Sequence, residues 1–259
     1  MTIVIKIGGS IADGIENIAR DLGKLGESCV LVHGVGPQAD ELTRKLGKEP
    51  RWVVSVQGIK SRYTDRETVE IFNMAASALN NEIVSVLKKE GVNAVGLNGA
   101  IQAQRKDKIK IIENGKKMIL DGDYTGKIIG ISKELFENLL ERNFVPVIGP
   151  IAISENNEIV NVNADRAAAF IAKEVGAEVV LNFSDVPGVY DSNKKVIKRI
   201  PAKQLEQKMK EVSGGMVMKL LAAKEAMEFG VKKFVIASGT IENPIIKAMN
   251  GDGTVIENV

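Results

Sequence analysis

The segments Lys6-Ile7-Gly8-Gly9-Ser10 and His33-Gly34-Val35-Gly36 each put glycine-rich backbone directly after a run of β-branched residues. Glycines at such a turn let main-chain N–H groups point inward toward an anion, and a helix that follows adds the positive end of its dipole. Either loop alone reads equally as a tight turn. Two of them, with a lysine inside the first, point to phosphate. Lys6 sits on an otherwise apolar strand, where an ammonium without an anion is expensive to desolvate; the competing reading is a side chain that snorkels from the strand end.

Three further stretches carry reactive side chains. Asn161-Val162-Asn163-Ala164-Asp165 puts three short polar residues at the start of a helix. A helix cap needs only one, Asn163 or Asp165, which leaves an Asn to meet substrate and an Asp to orient lysines. Ser184-Asp185-Val186-Pro187-Gly188-Val189-Tyr190-Asp191 mixes turn residues with small apolar ones after a buried strand, as suits a base or ribose lying against backbone. Gly214-Gly215-Met216-Val217-Met218-Lys219 sets a lysine in the first turn of a predicted helix, against the usual dipole preference. Phosphate shared between that lysine and the helix N–H groups explains the choice.

The elements that must hold these residues alternate. Strands are expected at residues 3–7, 29–32, 94–97, 145–148, 179–183 and 233–236, and helices at 15–25, 39–46, 66–89, 133–142, 164–174 and 217–229. Gly91, Gly176 and Gly230 fall where three helices should end. The pattern predicts an α/β fold, a three-layer α/β/α sandwich around an open, mainly parallel sheet whose ligands meet the carboxyl ends of the strands. Residues 108–120 read as an inserted hairpin around Asn114-Gly115. A lobe boundary is expected near residues 174–176, dividing 1–174 from 175–259 within one continuous sheet.

Bulk properties exclude several functions. Of 259 residues, 44% are hydrophobic and 26% charged, and 35 Lys plus Arg nearly balance 33 Asp plus Glu, so no nucleic-acid or membrane partner is expected. No apolar stretch approaches membrane-spanning length, the N-terminus lacks a signal-like segment, and the single Cys29 reads as a buried thiol, which together suggest a cytoplasmic protein. The full dinucleotide fingerprint is absent from the first βα turn, against an oxidoreductase.

Together with Arg62, these motifs resemble, in order and over essentially the whole chain, the amino acid kinase family. The likeness is greatest to its acetylglutamate kinase branch, and within that to kinases acting on glutamate or 2-aminoadipate linked to an acidic amino-group carrier protein of the LysW type. The resemblance implies an eight-stranded sheet, an acyl-acceptor lobe at residues 1–174 that also forms a homodimer, and an ATP lobe at residues 175–259. It implies ATP with Mg2+ held mainly by the phosphates and no metal held by side chains. Lys6 and Lys219 would neutralise the transferred phosphoryl group, and Asp165 would hold both lysines. Arg62 and Asn161 would grip the acceptor's α-carboxylate, with Val35 and Gly36 offering backbone donors. Gly8, Gly9, Ser184, Asp185, Gly188, Val189, Tyr190, Gly215 and Met216 would line the nucleotide. Val35 replaces the family's usual middle glycine, so a donor geometry that needs positive φ there is in doubt.

The chemistry suits these residues. A glutamate side chain, with an ordinary pKa near ~4.3, is already a nucleophile and needs no base, and the only histidine, His33, lies in a phosphate-type loop. Gln57-Gly-Ile-Lys-Ser-Arg-Tyr-Thr-Asp65 resembles the carrier-protein branch more than the acetylglutamate enzymes, although Lys60 stands where an arginine is usual. Seven basic against four acidic residues between Asp40 and Arg66 suggest a patch for an acidic partner. The alternatives are an N-acetylglutamate kinase and a non-catalytic nucleotide sensor; intact Lys6, Asp165 and Lys219 argue against the sensor. Because family members inhibited by arginine usually carry an extra N-terminal helix, arginine inhibition of that kind is not expected.

Overall fold

The computed structural model describes residues 1–258 apart from Gln57 and Ile59, with the side chains of all of them except residues 12–14 and 122. Gln57 and Ile59, part of the acceptor-side pattern read above, therefore lie outside the described residues. In chain order the elements are β1 (Thr2–Ile7), α1 (Ile15–Leu25), β2 (Ser28–His33), α2 (Gly36–Lys45), β3 (Trp52–Ser55), β4 (Lys60–Arg62), α3 (Arg66–Lys89) and β5 (Ala94–Leu97). There follow β6 (Ile101–Glu113), β7 (Lys116–Ile131), α4 (Lys133–Glu141), β8 (Val145–Ile148), β9 (Ile151–Ser154), β10 (Ile159–Asn161) and α5 (Ala164–Glu174). The chain ends with β11 (Val179–Ser184), β12 (Arg199–Pro201), α6 (Leu205–Glu211), α7 (Gly215–Glu228), β13 (Lys233–Ser238), α8 (Pro244–Met249) and β14 (Thr254–Glu257).

The main sheet has eight strands in the order β12-β14-β13-β11-β1-β2-β8-β5. Its pairings are parallel except that β14 runs antiparallel to β13. Strand alternation assigns the residues of β1 to opposite faces. Ile3, Ile5 and Ile7 join the core beneath α1, α3 and α8, whereas Val4 joins the core beneath α5 and α7. Lys6 shares the face of Val4, so the one cation of this strand is aimed at α5 and α7. The two cores are thus the two faces of one sheet, and the turn at residues 174–176 joins α5 to β11 without interrupting it.

The six central strands lie where the sequence predicts them, and the three glycine stops are real, with positive φ at Gly91 (79°), Gly176 (65°) and Gly230 (92°). The inserted hairpin is larger than expected. Strands β6 and β7 pair from Ile101 to Ile131 around Asn114 (φ 50°) and Gly115 (φ 73°), and they join β3, β4, β9 and β10 in a second, six-stranded sheet. Its strands enter at three points of the chain: β3 and β4 after α2, β6 and β7 after β5, and β9 and β10 after β8. No helix among the described residues is long and apolar enough to cross a membrane.

His33 ends β2 in full burial, and burial lowers its pKa to about 4. Its Nδ1 lies 3.2 Å from the Gly34 carbonyl oxygen, which can only accept, so Nδ1 carries the proton. Nε2 of the neutral ring then accepts from Asn80 Nδ2 at 3.2 Å, and the same amide donates to the Val147 carbonyl at 3.0 Å. This bridge fixes α3 against β2 and β8 behind the second glycine loop. Asn80→Ala strands the ring nitrogen and the carbonyl and should cost roughly 1–3 kcal/mol of stability in denaturant unfolding.

Candidate active site

Lys6, Asp165 and Lys219 come together from β1, α5 and α7. Asp165 Oδ1 lies 2.8 Å from Lys6 Nζ and 3.3 Å from Lys219 Nζ. Asn163, not Asp165, caps α5, its side chain accepting from the Arg166 N–H at 3.0 Å, so Asp165 is left for the lysines. Burial alone would push the Asp165 carboxyl up, but the two ammonium charges and the bond from Asn182 hold it well below the usual carboxylate range. Burial lowers Lys6 to about 8 in spite of Asp165, with Lys219 acting in the same direction. Two cations around one anion leave a buried surplus of positive charge, which a bound anion would neutralise.

Asn182 belongs to this cluster, and sequence reasoning missed it. It stands beside Lys6 in the parallel β1–β11 register, donates from Nδ2 to Asp165 Oδ1 at 2.8 Å and accepts from Lys219 Nζ at 3.2 Å. The signal was available as a lone polar residue inside Val179-Val-Leu-Asn-Phe183. The placement of Lys219 also needs correction. Helix α7 begins at Gly215, two residues before the predicted start, so Lys219 lies in the second turn and its position follows from Asp165 and Asn182 rather than from the helix terminus.

The two glycine loops touch. A side chain at Gly9 would meet Pro37 Cδ at 2.9 Å and the Gly36 N at 3.2 Å, so only glycine permits this approach. The Gly8 N–H is already spent on the Phe183 carbonyl at 3.0 Å. Helix α2 starts at Gly36 instead of Ala39, and its cap residue, Val35, offers no side-chain oxygen to the first-turn N–H groups. Val35 has φ −140°, so its geometry needs no glycine. Helix α7 likewise begins without a side-chain cap, at Gly214, with Gly215 exposed and Met216 half-buried. Two uncapped helix starts therefore lie next to surplus positive charge.

In the stretch after β11, Ser184 is buried with its hydroxyl unpartnered among the described residues, while Asp185 and Tyr190 are exposed. Gly188 packs so tightly that a Cβ would lie 2.6 Å from Thr254 Oγ1. Val189 differs from its sequence reading. Its side chain is fully buried, its N–H donates to Thr254 Oγ1 at 2.8 Å and its carbonyl accepts from Ile197 N at 2.8 Å, so it anchors the loop and has no free polar group for a ligand.

On the acceptor side, Arg62 grips Asp40 with a bidentate fork, Nε and Nη2 each 2.6 Å from a carboxylate oxygen, and lies 4.3 Å above the Trp52 ring. A Cβ on Gly36 would meet its guanidinium at 3.1 Å, which fixes Arg62 beside the second loop. Asn161, half-buried at the end of β10, makes no side-chain hydrogen bond to another described residue. The basic excess read between Asp40 and Arg66 is largely consumed locally: Arg44, Lys45, Lys48, Arg62 and Arg66 all pair with neighbouring carboxylates.

The amino acid kinase family model matches residues 1–238, nearly the whole chain. The chain belongs to the amino acid kinase family. Relatives include a putative [LysW]-aminoadipate/[LysW]-glutamate kinase of Nitrosopumilus maritimus, 44% identical over 99% of each chain. The [LysW]-aminoadipate kinase of Thermus thermophilus is 38% identical over 98% of this chain and 99% of that one, and the [LysW]-aminoadipate/[LysW]-glutamate kinase of Saccharolobus solfataricus 39% over 99% of each. Among solved structures, the N-acetylglutamate synthase of Neisseria gonorrhoeae superposes with a TM-score of 0.84 at 20% identity, covering all of this chain and 59% of that longer one. Carbamate kinase of Giardia lamblia gives 0.74 at 16% identity over 100% and 98% of the two chains. At those identities the likeness is one of fold.

In this amino acid kinase the charge cluster makes two predictions. Asp165→Ala leaves two buried ammonium groups without their anion and should destabilise the protein by roughly 3–5 kcal/mol in denaturant unfolding, far more than Lys219→Ala, which leaves the Lys6–Asp165 pair balanced. If Lys6 acts as a cation, kcat/KM should fall as pH rises through about 8, where Lys6 loses its proton, and an active Lys6→Arg variant should lack that alkaline limb. A flat profile to pH 10 in the wild type would contradict this.

Proposed function

We propose that this amino acid kinase transfers the γ-phosphoryl group of ATP to the side-chain carboxylate of glutamate or 2-aminoadipate carried on an acidic amino-group carrier protein, in lysine and arginine biosynthesis. A carboxylate oxygen attacks the γ-phosphorus, the bond to the β-phosphate oxygen breaks, ADP leaves and an acyl phosphate forms, with no proton to remove. The observation that carries this reading is the buried Lys6–Asp165–Lys219 cluster in a site whose only histidine is locked neutral. Such a site is equipped for positioning and charge stabilisation rather than for base catalysis. Lys6 and Lys219 take the developing phosphoryl charge and Asp165 holds them. Asn161 and the remaining Arg62 nitrogen, Nη1, take the α-carboxylate, while Val35 and Gly36 supply backbone donors.

In this reading residues 1–174 bind the acceptor and form a homodimer, and residues 175–259 bind ATP along Ser184, Asp185, Gly188, Tyr190, Gly215 and Met216, with Gly8 and Gly9 against the phosphates. The Mg2+ that accompanies ATP is held mainly by the phosphates in this reading. Cys29 is buried, its thiol pushed up to about 12 by burial, and is an inert structural thiol of a cytoplasmic enzyme.

A carrier partner is supported by the second sheet. Val54 faces both Ile112 and Lys60, Ile112 faces Lys117, and Lys110 faces Ile119, so these residues share one sheet surface with Trp52 and Arg62. Ile119 is 60% exposed and Trp52 43%. The surface interleaves lysines with apolar side chains, its one acid, Asp121, is paired with Lys108 at 3.3 Å, and it runs up to Arg62. An acidic protein that presents the acceptor from this side meets complementary charge without blocking the nucleotide.

The deciding assay is ATP-dependent turnover trapped as hydroxamate, comparing carrier-linked glutamate and 2-aminoadipate with free N-acetylglutamate. Turnover confined to the carrier-linked acceptors is expected, and strong turnover of free N-acetylglutamate would make the chain an N-acetylglutamate kinase instead. Lys219→Ala should abolish turnover while the protein stays folded. Charge reversal at Lys110 and Lys117 should raise KM for the carrier-linked acceptor about tenfold at low salt, leave KM for ATP unchanged, and lose its effect as ionic strength increases.

A further inference from the structure

Asn182 is an amide in a place that packing alone would fill with an apolar side chain. It is fully buried in β11, on the face that Val4 and Val180 turn toward α5 and α7, and its register partner on β13 is Ile236. Burying an amide is costly unless both of its ends are bonded. Both ends are bonded here, and in one sense only. A carboxylate oxygen accepts and an ammonium donates, so Nδ2 faces Asp165 Oδ1 at 2.8 Å and Oδ1 faces Lys219 Nζ at 3.2 Å.

The two lysines of the cluster are held unequally. Lys6 Nζ lies 2.8 Å from Asp165 Oδ1, on a strand braced on both sides by β2 and β11. Lys219 Nζ stands 3.3 Å from the same oxygen, which already takes Lys6 and the Asn182 amide at 2.8 Å each. One stretched bond at the end of a flexible four-carbon stem does not fix a point charge. The Asn182 oxygen supplies the second hold, and with it two of the three Lys219 ammonium protons are used. The third has no partner among the described residues. Because Asn182 carries no charge, it orders the anion and this cation without cancelling the positive surplus of the cluster, as a carboxylate in its place would.

We propose that Asn182 is a positioning residue of phosphoryl transfer: its Oδ1 aims the Lys219 ammonium, and its Nδ2 fixes the Asp165 oxygen that the two lysines share. The remaining Lys219 proton is thereby directed at the transferred group. The assignment rests on the reading above in which Lys219 meets the phosphoryl group. Its consequence is that the amide acts on the chemical step rather than on the binding of either substrate, since a misplaced charge is felt most in the transition state.

Asn182→Leu keeps the bulk of the side chain and removes both polar ends. With ATP and whichever acceptor the wild type turns over, it should lower kcat about ten- to a hundredfold, while KM for ATP and for the acceptor each stay within about threefold. Asn182→Thr suits a buried strand, and its shorter side chain cannot span Asp165 and Lys219. It should show the same split with a smaller fall in kcat, which covers the case in which Asn182→Leu does not fold. A merely packing role would lower the midpoint of denaturant unfolding and leave the kcat of the folded enzyme unchanged. A second measurement does not depend on turnover. In denaturant unfolding, Asn182→Leu and Lys219→Ala together should cost less than the sum of their separate costs, since each alone strands the other's polar partner. Additive costs, or an unchanged kcat in the folded variants, would overturn the assignment. Where the wild type turns over none of the acceptors, the reaction is at fault, and the unfolding cycle still decides whether Asn182 holds Lys219.

Discussion

One buried carboxylate between two buried ammonium groups governs the arrangement of this protein. Desolvating three charges is costly, and their mutual attraction offsets that cost only when every donor is placed within hydrogen-bond reach. Placement here comes from the main sheet. The neighbouring strands β1 and β11 supply Lys6 and Asn182 in register, and α5 and α7, packed over the same face, supply Asp165 and Lys219. The cluster keeps a net positive charge even when every hydrogen bond is made, so the folded protein holds an electrostatic site that an anion completes.

Much of this was legible locally. Alternation along Thr2–Ile7 separates Lys6 from the isoleucines, and the surplus of short polar residues at 161–165 showed that capping leaves side chains over, although which of Asn163 and Asp165 caps came from the structure. What was not legible depends on pairing across long separations. Strands β9 and β10 span four and three residues, too few for a periodic signal, and the slips in β7 exist only relative to β6. The partnership of Arg62 with Asp40, which redistributes the apparent basic excess, likewise joins residues with no local reason to meet. Starts of α2 and α7 were misjudged because glycine and proline were read as loop, whereas both helices begin on them.

The fold by itself does not choose the reaction. Structures whose names include an acetylglutamate synthase, carbamate kinases and an isopentenyl phosphate kinase share it with this chain at identities of 16–20%. What separates chemistries on a common sheet is what stands beyond the carboxyl ends of the strands, and in this chain that is the second sheet. It carries Arg62 and Asn161, the bulged segment around Asp123, and the exposed lysines of β4, β6 and β7.

The two sheets differ in physical character. Phosphoryl transfer needs rigid, desolvated charge, and the strands and helices beneath the cluster are buried and closely packed. The second sheet is more open, with an extended hairpin and an irregular ladder that carry exposed side chains such as Ile119 and Met118. The layers are not independent, because Ile101, Ala103, Ile131, Ala152 and Val160 of the second sheet pack into the same core as Val4, Val180 and the alanines of α5, and Asn161 leads through two residues into α5 and Asp165. A change in the second sheet therefore reaches the buried charges through shared packing as well as along the chain, and close packing transmits it.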